Sequence, residues 1–257
     1  MPGRFSFPVS SMPQSAPKQD PLSLDPSLTP KAWREAFAAS GRLHVPGILT
    51  ADSAARLHAA LTIDTPWSGV VGVEKKLWTL PLDGPGALSQ ADDAALDRQV
   101  AEETRAGFGF RFDNFRVSDE VEAGRREGRL LEAAYDLING EAFLGFVRDL
   151  TGDERPEYCD CQATRYRPGH FLTEHDDHAD GKNRLYAYVL NLTPQWRSDW
   201  GGLLLFLDGD GHVAEGYTPS FNALNIFRVP QKHAVSYVTP HAAVPRLSLT
   251  GWIRTRG

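Results

Sequence analysis

Residues 166–177 read YRPGHFLTEHDD, and this stretch decides the predicted fold because it carries a His-x-Asp pair, His175 and Asp177. A further histidine, His233, follows 56 positions after Asp177. On a β-strand, residues i and i+2 project from the same face, so the pair can reach one metal ion. A third ligand from a later strand completes a facial triad, which leaves three coordination positions open and suits non-haem Fe(II) and O2 chemistry. The spacing therefore predicts a β-barrel that holds a metal site.

The first ligand of this site has local alternatives. His170 and His178 lie close to the pair in sequence, and the polar run around them is also typical of a surface loop. A lone histidine such as His233 more often hydrogen-bonds at the rim of a barrel than binds a metal. The residues alone therefore leave the ligand set open, with His175, Asp177 and His233 as the favoured interpretation.

The second half of the chain consists of short β-type segments separated by turn residues. Turn sequences such as Asp-Gly-Lys-Asn at 180–183 and Asp-Gly-Asp-Gly at 208–211 stand between the segments. Many short strands after a helical half predict an all-β core, a double-stranded β-helix or jelly-roll, backed by N-terminal α-helices and therefore α+β overall. The predicted strands are 158–166, 185–192, 203–207, 223–229, 234–238 and 246–253.

The first half of the chain predicts the supporting helices. Helices are expected to begin after Thr29 and Thr50, which can cap them, and to cover 88–106. A further helical segment covers 130–150, either continuous or broken at Gly140. These helices need a sheet on which to bury their apolar stripes, so we expect them to pack against the β-core.

Two strands are predicted within this helical half, a short one over 43–45 and a longer one over 107–116. Residues 107–116 alternate, so Phe108, Phe110 and Phe112 share one face, and their simplest role is in the hydrophobic core.

The chain is expected to form one composite domain. Residues 1–28 are rich in Ser, Pro and Gln and predict a flexible N-terminal tail. Residues 29–257 then form the domain, with helical support over about 29–152 and the jelly-roll core over about 153–257.

The last predicted strand places Arg246, Ser248 and Thr250 on one face and apolar residues on the other. A buried arginine is costly without an anionic partner. A carboxylate ligand would supply one, held by the guanidinium fork and a hydroxyl. A solvent-facing edge strand explains the same pattern equally well.

The order of these motifs resembles the Fe(II)/2-oxoglutarate-dependent dioxygenases, and within them the prolyl-4-hydroxylase branch. The similarity covers about residues 158–254. The motifs that carry it are Tyr-x-x-Gly followed by His-x-Asp, Gly201-Gly202 before an apolar strand, His233, Arg246-x-Ser248 and Gly251-Trp252.

The resemblance implies a role for each site residue. His175, Asp177 and His233 would hold Fe(II). Arg246 would bind the distal carboxylate of 2-oxoglutarate, with Tyr166 and Ser248 as hydroxyl partners. With O2 as oxidant, and ascorbate as a candidate addition to the cofactor set, the enzyme would release succinate and CO2 while hydroxylating a C–H bond.

Two features depart from the pattern of that branch. Arg246 lies 13 positions after His233, which is a longer gap than this branch commonly shows. Some relatives also carry a strand tyrosine where this chain has Val189, with Tyr186 and Tyr188 nearby. The hydroxyl groups that would contact the cosubstrate besides Tyr166 therefore stay open.

The amino-acid composition of the chain limits the classes of molecule that we expect it to bind. The formal net charge is −6, with 23% charged residues and no long Lys/Arg cluster, which argues against nucleic acid as a partner. No apolar run is long enough to span a bilayer, and we expect a cytoplasmic protein without a membrane partner. The resemblance favours a prolyl residue in a protein or peptide as substrate over a small molecule.

Three rival interpretations stay open on sequence grounds. A non-catalytic barrel could bind metal or 2-oxoglutarate as a sensor or scaffold. A hydroxylase of a free amino acid or small metabolite would carry the same iron and cosubstrate motifs. A cupin-like metalloenzyme would need no cosubstrate, but it would have no use for Arg246-x-Ser248.

Overall fold

The structure is a computed structural model that describes residues 20–73, 76–105 and 107–256. The described residues form six α-helices and thirteen β-strands, with short 3-10 turns at Pro30–Trp33 and Ser198–Trp200. The helices are α1 (Arg34–Ser40), α2 (Ala51–Ile63), α3 (Gln90–Thr104), α4 (Val117–Glu122), α5 (Leu130–Ile138) and α6 (Glu141–Thr151). The strands are β1 (Arg42–Pro46), β2 (Ser68–Val73), β3 (Lys76–Pro81), β4 (Gly109–Phe115), β5 (Tyr158–Cys159), β6 (Gln162–Tyr166), β7 (Phe171–His175), β8 (Arg184–Asn191), β9 (Leu204–Leu207), β10 (Val213–Tyr217), β11 (Ala223–Arg228), β12 (His233–Val235) and β13 (Arg246–Arg254).

The strands pair into a nearly closed antiparallel barrel. The larger sheet contains β11, β8, β13 and β6 in that order, with β1 at its edge, and the smaller sheet contains β7, β12, β9 and β10. Strand β4 pairs with both β6 and β7 and so joins the two sheets on one side. From β6 onward, consecutive strands enter opposite sheets, except that β9 and β10 form a hairpin within the smaller sheet. This arrangement confirms the predicted double-stranded β-helix, or jelly-roll, with helices on its N-terminal side.

The hydrophobic core lies between the larger sheet and the helices. Strand β13 buries Leu247, Leu249 and Ile253 in this core, while Arg246, Ser248 and Thr250 line a cavity inside the barrel. The predicted division of this strand into two faces is therefore confirmed. The helices contribute the other side of the core, including Phe37, Leu57, Leu61, Leu131, Phe143, Val147 and Leu150.

The predicted helix over 130–150 is two helices. Gly140 lies at the N-terminus of α6, and its N–H donates to the carbonyl of Leu137. Gly152 ends α6 in the left-handed conformation, at φ 72°, which glycine adopts without a side-chain clash. Of the two forms that the sequence allowed, the broken one is confirmed.

The segment 158–166, predicted as one strand, is divided into β5 and β6. Between them, the Cys161 N–H donates to the Ser118 hydroxyl rather than to a strand partner. The Asp160 carbonyl lies so close to Gly251 that a Cβ there would be 2.0 Å from its oxygen. This close approach explains why glycine occupies position 251 of the Gly-Trp motif.

Several strands were absent from the sequence prediction. The hairpin of β2 and β3 extends the sheet beyond β4, and β10 forms a hairpin with β9 around the Asp-Gly-Asp-Gly turn. Strand β12 is shorter than predicted at its C-terminal end, because Val238 donates to the carbonyl of His170 instead of continuing the ladder.

The N-terminal boundary differs from the expectation of a flexible tail over 1–28. Leu22 is buried, and Leu24 forms a β-bridge with Leu49. The Ser23 N–H donates to the Ser53 hydroxyl, so residues 20–28 contact the domain and the tail boundary at residue 28 is too late. The rest of the expected tail, 1–19, lies outside the described residues.

Across the described ranges, the structure contains no helix that is both long and apolar enough to cross a membrane.

Candidate metal centre and its cavity

The interior of the barrel contains a cavity of about 90 Å³ between the two sheets. Both sets of residues that the sequence analysis singled out line it. The predicted metal ligands His175, Asp177 and His233 lie along one part, and the predicted cosubstrate residues Arg246, Tyr166 and Ser248 lie along another. Tertiary structure therefore brings together side chains that are up to 82 positions apart in the sequence.

Three side chains converge at the metal end of this cavity. One ligand atom from each of His175, Asp177 and His233 lies within 4.8 Å of the others. The two Nε2 atoms lie 3.5 Å and 3.4 Å from the two carboxylate oxygens of Asp177, and the imidazole centroids are 4.0 Å apart. Two imidazoles and one carboxylate on one side of a cavity form the 2-His-1-carboxylate set of non-haem iron sites.

The backbone brings the two histidines together by strand register. His175 is the last residue of β7 and His233 is the first residue of β12, and the two are direct partners in the antiparallel ladder. Directly opposed side chains lie on the same face of a sheet, which explains why the rings are neighbours.

Asp177 reaches the site by a route that the sequence analysis did not predict. It lies beyond the end of β7 with φ 62°, in the left-handed region, so strand alternation does not carry it to the same face as His175. The Arg184 guanidinium donates to the Asp177 carbonyl at 2.9 Å and lies over the Trp252 ring at 3.5 Å. Arg184 thus holds the turn that presents the carboxylate.

Hydrogen bonds define which nitrogen of each imidazole faces the cavity. His175 Nδ1 lies 2.9 Å from the Thr173 carbonyl, and His233 Nδ1 lies 2.8 Å from the Gln231 carbonyl. Because a carbonyl accepts only, each Nδ1 carries the proton and each Nε2 presents a lone pair. Burial, followed by the neighbouring His175, lowers the pKa of His233 to about 4, so this imidazole is neutral near pH 7, as a metal ligand must be.

The two alternative first ligands lie elsewhere. His170 is buried with its Nδ1 3.4 Å from the Arg165 carbonyl. His178 is exposed and contacts Asp180 at 3.1 Å. Neither joins the cluster, so the structure selects among the alternatives that the sequence left open.

Arg246 lies at the deep end of the cavity in an unusual electrostatic setting. Its side chain is 1% exposed, and its Nε and Nη1 atoms have no hydrogen-bond partner. Among the described residues no carboxylate forms an ion pair with it, and its guanidinium lies 5.3 Å from the centre of the Tyr166 ring. Burial lowers the pKa of Arg246, which reflects the cost of an unpaired charge. A small dicarboxylate bound in the cavity would supply the missing anion, so these residues fit 2-oxoglutarate.

The hydroxyl groups near Arg246 include one that the sequence analysis missed. Ser248 Oγ lies 2.8 Å from Thr164 Oγ1, and both line the cavity. Burial raises the pKa of Tyr166 above its ordinary value, so its phenol is a neutral hydrogen-bond donor. Thr164 could have been found from strand alternation, because it lies two positions before Tyr166 on β6.

The sequence analysis left open whether the hydroxyls of Tyr186 and Tyr188 contact the cosubstrate, and the structure shows their hydrogen-bond partners. The Tyr186 hydroxyl donates to Asp153 and the Tyr188 hydroxyl donates to the Asp160 carbonyl. Both hydroxyls are therefore engaged away from Arg246.

An outer groove of about 670 Å³ leads from the surface to the metal end. One wall is an aromatic row on β4, with centroid distances of 5.6 Å for Phe108–Phe110 and 5.3 Å for Phe110–Phe112. Phe108 and Phe110 are only half-buried and join no core cluster of the described residues, so their predicted role as core residues is wrong. Phe112 packs against a buried cluster that includes Tyr166 and Val235, so the core prediction is confirmed for this ring. Strand β4 pairs with β2, β6 and β7, and its face that carries Phe110 and Phe112 lines the groove.

Comparison with known proteins shows which family the barrel is similar to. The model of the 2OG-Fe(II) oxygenase superfamily matches residues 161–254. This range includes His175, Asp177, His233 and Arg246, which confirms the predicted resemblance to Fe(II)/2-oxoglutarate-dependent oxygenases over the barrel.

A curated relative is the prolyl 3-hydroxylase OGFOD1 of Mus musculus, which is 30% identical over 145 residues. The match covers 54% of this chain and 26% of the relative, so the chain spans only about a quarter of the relative's length. The OGFOD1 protein of Xenopus laevis matches at 30% identity over the same number of residues. The relatives that match are thus prolyl hydroxylases, as the resemblance to that branch implied.

Solved structures share the fold at low sequence identity. A 2OG-Fe(II) oxygenase family oxidoreductase from Burkholderia pseudomallei matches with a TM-score of 0.57 at 16% identity, covering 92% of this chain and 96% of that one. A prolyl hydroxylase from Trichoplax adhaerens, solved with a hypoxia inducible factor peptide fragment, matches with a TM-score of 0.55 at 13% identity, covering 88% and 89%. These likenesses confirm the fold class.

Proposed function

We propose that this protein is an Fe(II)- and 2-oxoglutarate-dependent dioxygenase that hydroxylates a C–H bond of a prolyl residue in a protein or peptide. The observation that carries the proposal is the cavity itself. It combines a His-Asp-His cluster within 4.8 Å with a fully buried arginine that has no anionic partner in the part of the chain that the structure describes. A metal site alone would suit many chemistries, but the buried guanidinium adds the requirement for a carboxylate-bearing cosubstrate.

Each residue has a proposed role in binding. His175, Asp177 and His233 would hold Fe(II) through the two Nε2 atoms and the carboxylate. Arg246 would bind the distal carboxylate of 2-oxoglutarate, with Tyr166 and Ser248 as hydroxyl partners and Thr164 orienting Ser248. When bound, Fe(II), 2-oxoglutarate and O2 supply the oxidation, in which the cosubstrate becomes succinate and CO2 and the substrate gains a hydroxyl group.

The protein chain itself positions the bound groups and excludes water from the cavity. The carbonyls of Thr173 and Gln231 hold the two imidazoles in the tautomer that a metal requires, and Arg184 holds the Asp177 turn. The apolar side chains of Leu204, Phe227 and Val235 surround the cavity. A dry cavity strengthens the charge interactions on which the cosubstrate depends.

A prolyl substrate is supported by the relatives. The mouse protein similar to this chain is named a prolyl 3-hydroxylase, and the Trichoplax adhaerens prolyl hydroxylase was solved in complex with a peptide fragment. The outer groove, which is long, open and lined by aromatic rings, has room for a peptide chain next to the metal end.

We further propose that the helical half and the barrel, over about residues 29–257, act as one composite domain. The support is the shared core, in which α2, α5 and α6 pack on the outer face of the larger sheet.

The test is production of succinate from 2-oxoglutarate by the purified protein with Fe(II), with and without ascorbate. His175→Ala and Asp177→Ala should abolish iron binding and lower turnover by a factor of about 1000 or more, because each removes a metal ligand. His178→Ala is the matched control, since this exposed histidine lies outside the cluster.

Two outcomes would contradict the proposal. His175→Ala and Asp177→Ala proteins that bind iron as tightly as the wild type would show that the metal lies elsewhere. Wild-type protein that binds Fe(II) and 2-oxoglutarate without forming succinate, whatever substrate is offered, would favour the sensor or scaffold instead.

A further inference from the structure

The inner cavity and the outer groove meet at a throat. Its residues are those that line both spaces, namely Phe112, Gln162, Leu172, His175, Asp177 and Trp252. A substrate that enters through the groove must pass these side chains to reach the proposed metal. The chemistry of the throat therefore bears directly on which substrates can be presented.

Gln162 stands out among the throat residues. His175 and Asp177 are proposed ligands, and Phe112 and Leu172 are apolar. Trp252 presents its ring to the Arg184 guanidinium at 3.5 Å. Among the described residues of the throat, Gln162 is thus the one with a carboxamide that is free for a substrate.

The orientation of this carboxamide is held by a neighbour. Gln162 lies on β6 on the same face as Thr164 and Tyr166, and Asn114 of β4 donates from its Nδ2 to Gln162 Oε1 at 3.3 Å. The Nε2 group of Gln162 has no hydrogen-bond partner among the described residues. A carboxamide whose oxygen is occupied in this way offers N–H donors to an acceptor in the throat.

The charges around the throat favour a neutral acceptor. The arginines that line the outer groove are already paired, Arg116 with Asp119, Arg125 with Glu120 and Arg129 with Glu127. Arg246 lies at the deep end, where the proposed cosubstrate would use it. The Arg184 guanidinium lies against the Trp252 ring and donates to the Asp177 carbonyl. The α-carboxylate of a free amino acid would therefore need to displace an existing contact to gain a protein cation in the throat, whereas a peptide carbonyl needs only a neutral donor.

We propose that Gln162, held by Asn114, is a substrate-positioning residue that donates a hydrogen bond to the backbone carbonyl of an amide-linked residue, so that the substrate is an internal residue of a peptide chain and not a free amino acid. This inference rests on the proposed function of the same site. It requires no charged group on the substrate, because a peptide carbonyl accepts the hydrogen bond as a neutral dipole.

The first part of the experiment uses the wild-type protein with Fe(II) and 2-oxoglutarate. The probes are a library of synthetic peptides that places each residue type at an internal position, together with the corresponding free amino acids. Mass spectrometry detects the gain of one oxygen atom. We expect hydroxylation of one or more peptides and of none of the free amino acids.

The second part compares variants on the best peptide. Gln162→Leu replaces the carboxamide with an apolar side chain and so removes the donor, and we expect the KM for the peptide to rise about 5- to 10-fold, which is the effect of one lost hydrogen bond. The kcat and the half-saturating 2-oxoglutarate concentration should change less than about 2-fold, because neither depends on this donor. Gln162→Glu, which offers acceptors in place of donors, should raise the KM at least as much.

The matched control is Gln99→Leu. Gln99 is an exposed glutamine of α3 that donates to Glu103, and it lines neither the inner cavity nor the groove. The same chemical change there should leave the peptide KM at the wild-type value.

The outcomes separate this inference from the proposed function. Anaerobic binding of Fe(II) and 2-oxoglutarate, seen as their charge-transfer absorption, reports on the inner site alone. If that absorption is absent in the wild type, the proposed function fails. If the absorption is present, any of three results overturns the inference. Either no peptide is hydroxylated, or a free amino acid is hydroxylated as efficiently as the best peptide, or Gln162→Leu leaves the peptide KM unchanged.

Discussion

The two ends of the barrel cavity differ in how the backbone holds their functional side chains. At the deep end, Arg246 and Ser248 lie on β13, a strand of 9 residues whose ladder partners β6 and β8 flank it on both sides. At the metal end, His233 begins a strand of 3 residues, His175 ends a strand of 5, and Asp177 lies in a turn. Strand register positions the deep end and also brings the two histidines together, whereas at the metal end Asp177 depends on a turn and hydrogen bonds to backbone carbonyls orient each imidazole.

This difference between the two ends determines how a substitution at a functional residue changes the stability of the protein. The deep end contains a buried charge that has no anionic partner among the described residues, and the Tyr166 ring lies against the Arg246 guanidinium. The metal end contains polar groups that already hydrogen-bond to the backbone. We therefore expect substitutions at the two ends to change stability in opposite directions.

Among the substitutions that test this comparison, Arg246→Met should have the largest effect, because it removes the buried charge of the deep end. Half-saturation by 2-oxoglutarate should require at least about 100-fold more cosubstrate, because the charge partner of its carboxylate is lost. The unliganded protein should become more stable to urea by about 1–3 kcal/mol, because an unpaired buried guanidinium is replaced by an apolar chain. Isothermal titration and urea unfolding measure the two quantities.

Arg246→Lys is the control for this prediction, because it keeps the charge and loses the fork. It should retain part of the 2-oxoglutarate affinity and none of the gain in stability. An Arg246→Met protein that is less stable than the wild type would show that the guanidinium already has a favourable partner in the folded chain.

A second prediction concerns His170, which lies in the segment that connects β6 to β7 and so links a strand of the deep end to a strand of the metal end. Burial lowers the pKa of His170 from 6.5 to about 4, so the folded protein favours the neutral imidazole more than the unfolded chain does. Its contribution to stability is present above about pH 6.5 and is lost as the pH falls through about 4, by up to about 3 kcal/mol. His170→Gln should flatten this loss in urea unfolding measured as a function of pH.

His178→Gln provides the comparison for His170, because His178 is an exposed histidine of the same region. It should leave the pH dependence of the free energy of unfolding unchanged. If His170→Gln and His178→Gln proteins lose stability equally with falling pH, burial of His170 is not the cause.

The smallest effect should come from Arg184→Met, which tests the local support of the metal end. Loss of the hydrogen bond to the Asp177 carbonyl should weaken Fe(II) binding about 10-fold, as for other groups that orient a metal ligand. The affinity for 2-oxoglutarate at saturating iron should change little. Arg197→Met, at an exposed arginine paired with Asp199, is the control, and equal iron affinity in both variants would contradict a supporting role for Arg184.

Sequence patterns predicted the parts of the fold that depend on local alternation. The face division of β13, the Thr50-capped helix α2 and the strands of the larger sheet follow from hydrophobic periodicity and capping chemistry. The hairpin of β2 and β3 was missed because its residues alternate weakly and its stability comes from pairing with β4. Residues 20–28 were assigned to the tail because their contacts with 48–53 involve partners distant in sequence.

Within the candidate site, too, local sequence patterns predicted some residues, whereas contacts between distant segments determine the roles of others. Motif order predicted His175, Asp177, His233 and Arg246 as site residues, because the proposed chemistry requires these residue types whatever the local conformation. Three supporting residues, Thr164, Arg184 and Gln162, were missed. Their roles depend on which strands become neighbours, and nothing in their immediate sequence marks them.

By itself, the amino-acid sequence determined the residue types of the site, their order along the chain and the alternation of β13, because these are properties of short segments and of side-chain chemistry. Tertiary structure alone decided that Asp177 reaches the metal end through a left-handed turn held by Arg184, that the aromatic row of β4 lines a groove, and that Gln162 stands at the throat. The physical reason is that strand pairing brings together segments far apart in sequence, and the hydrogen bonds and cavities between them exist only after that pairing.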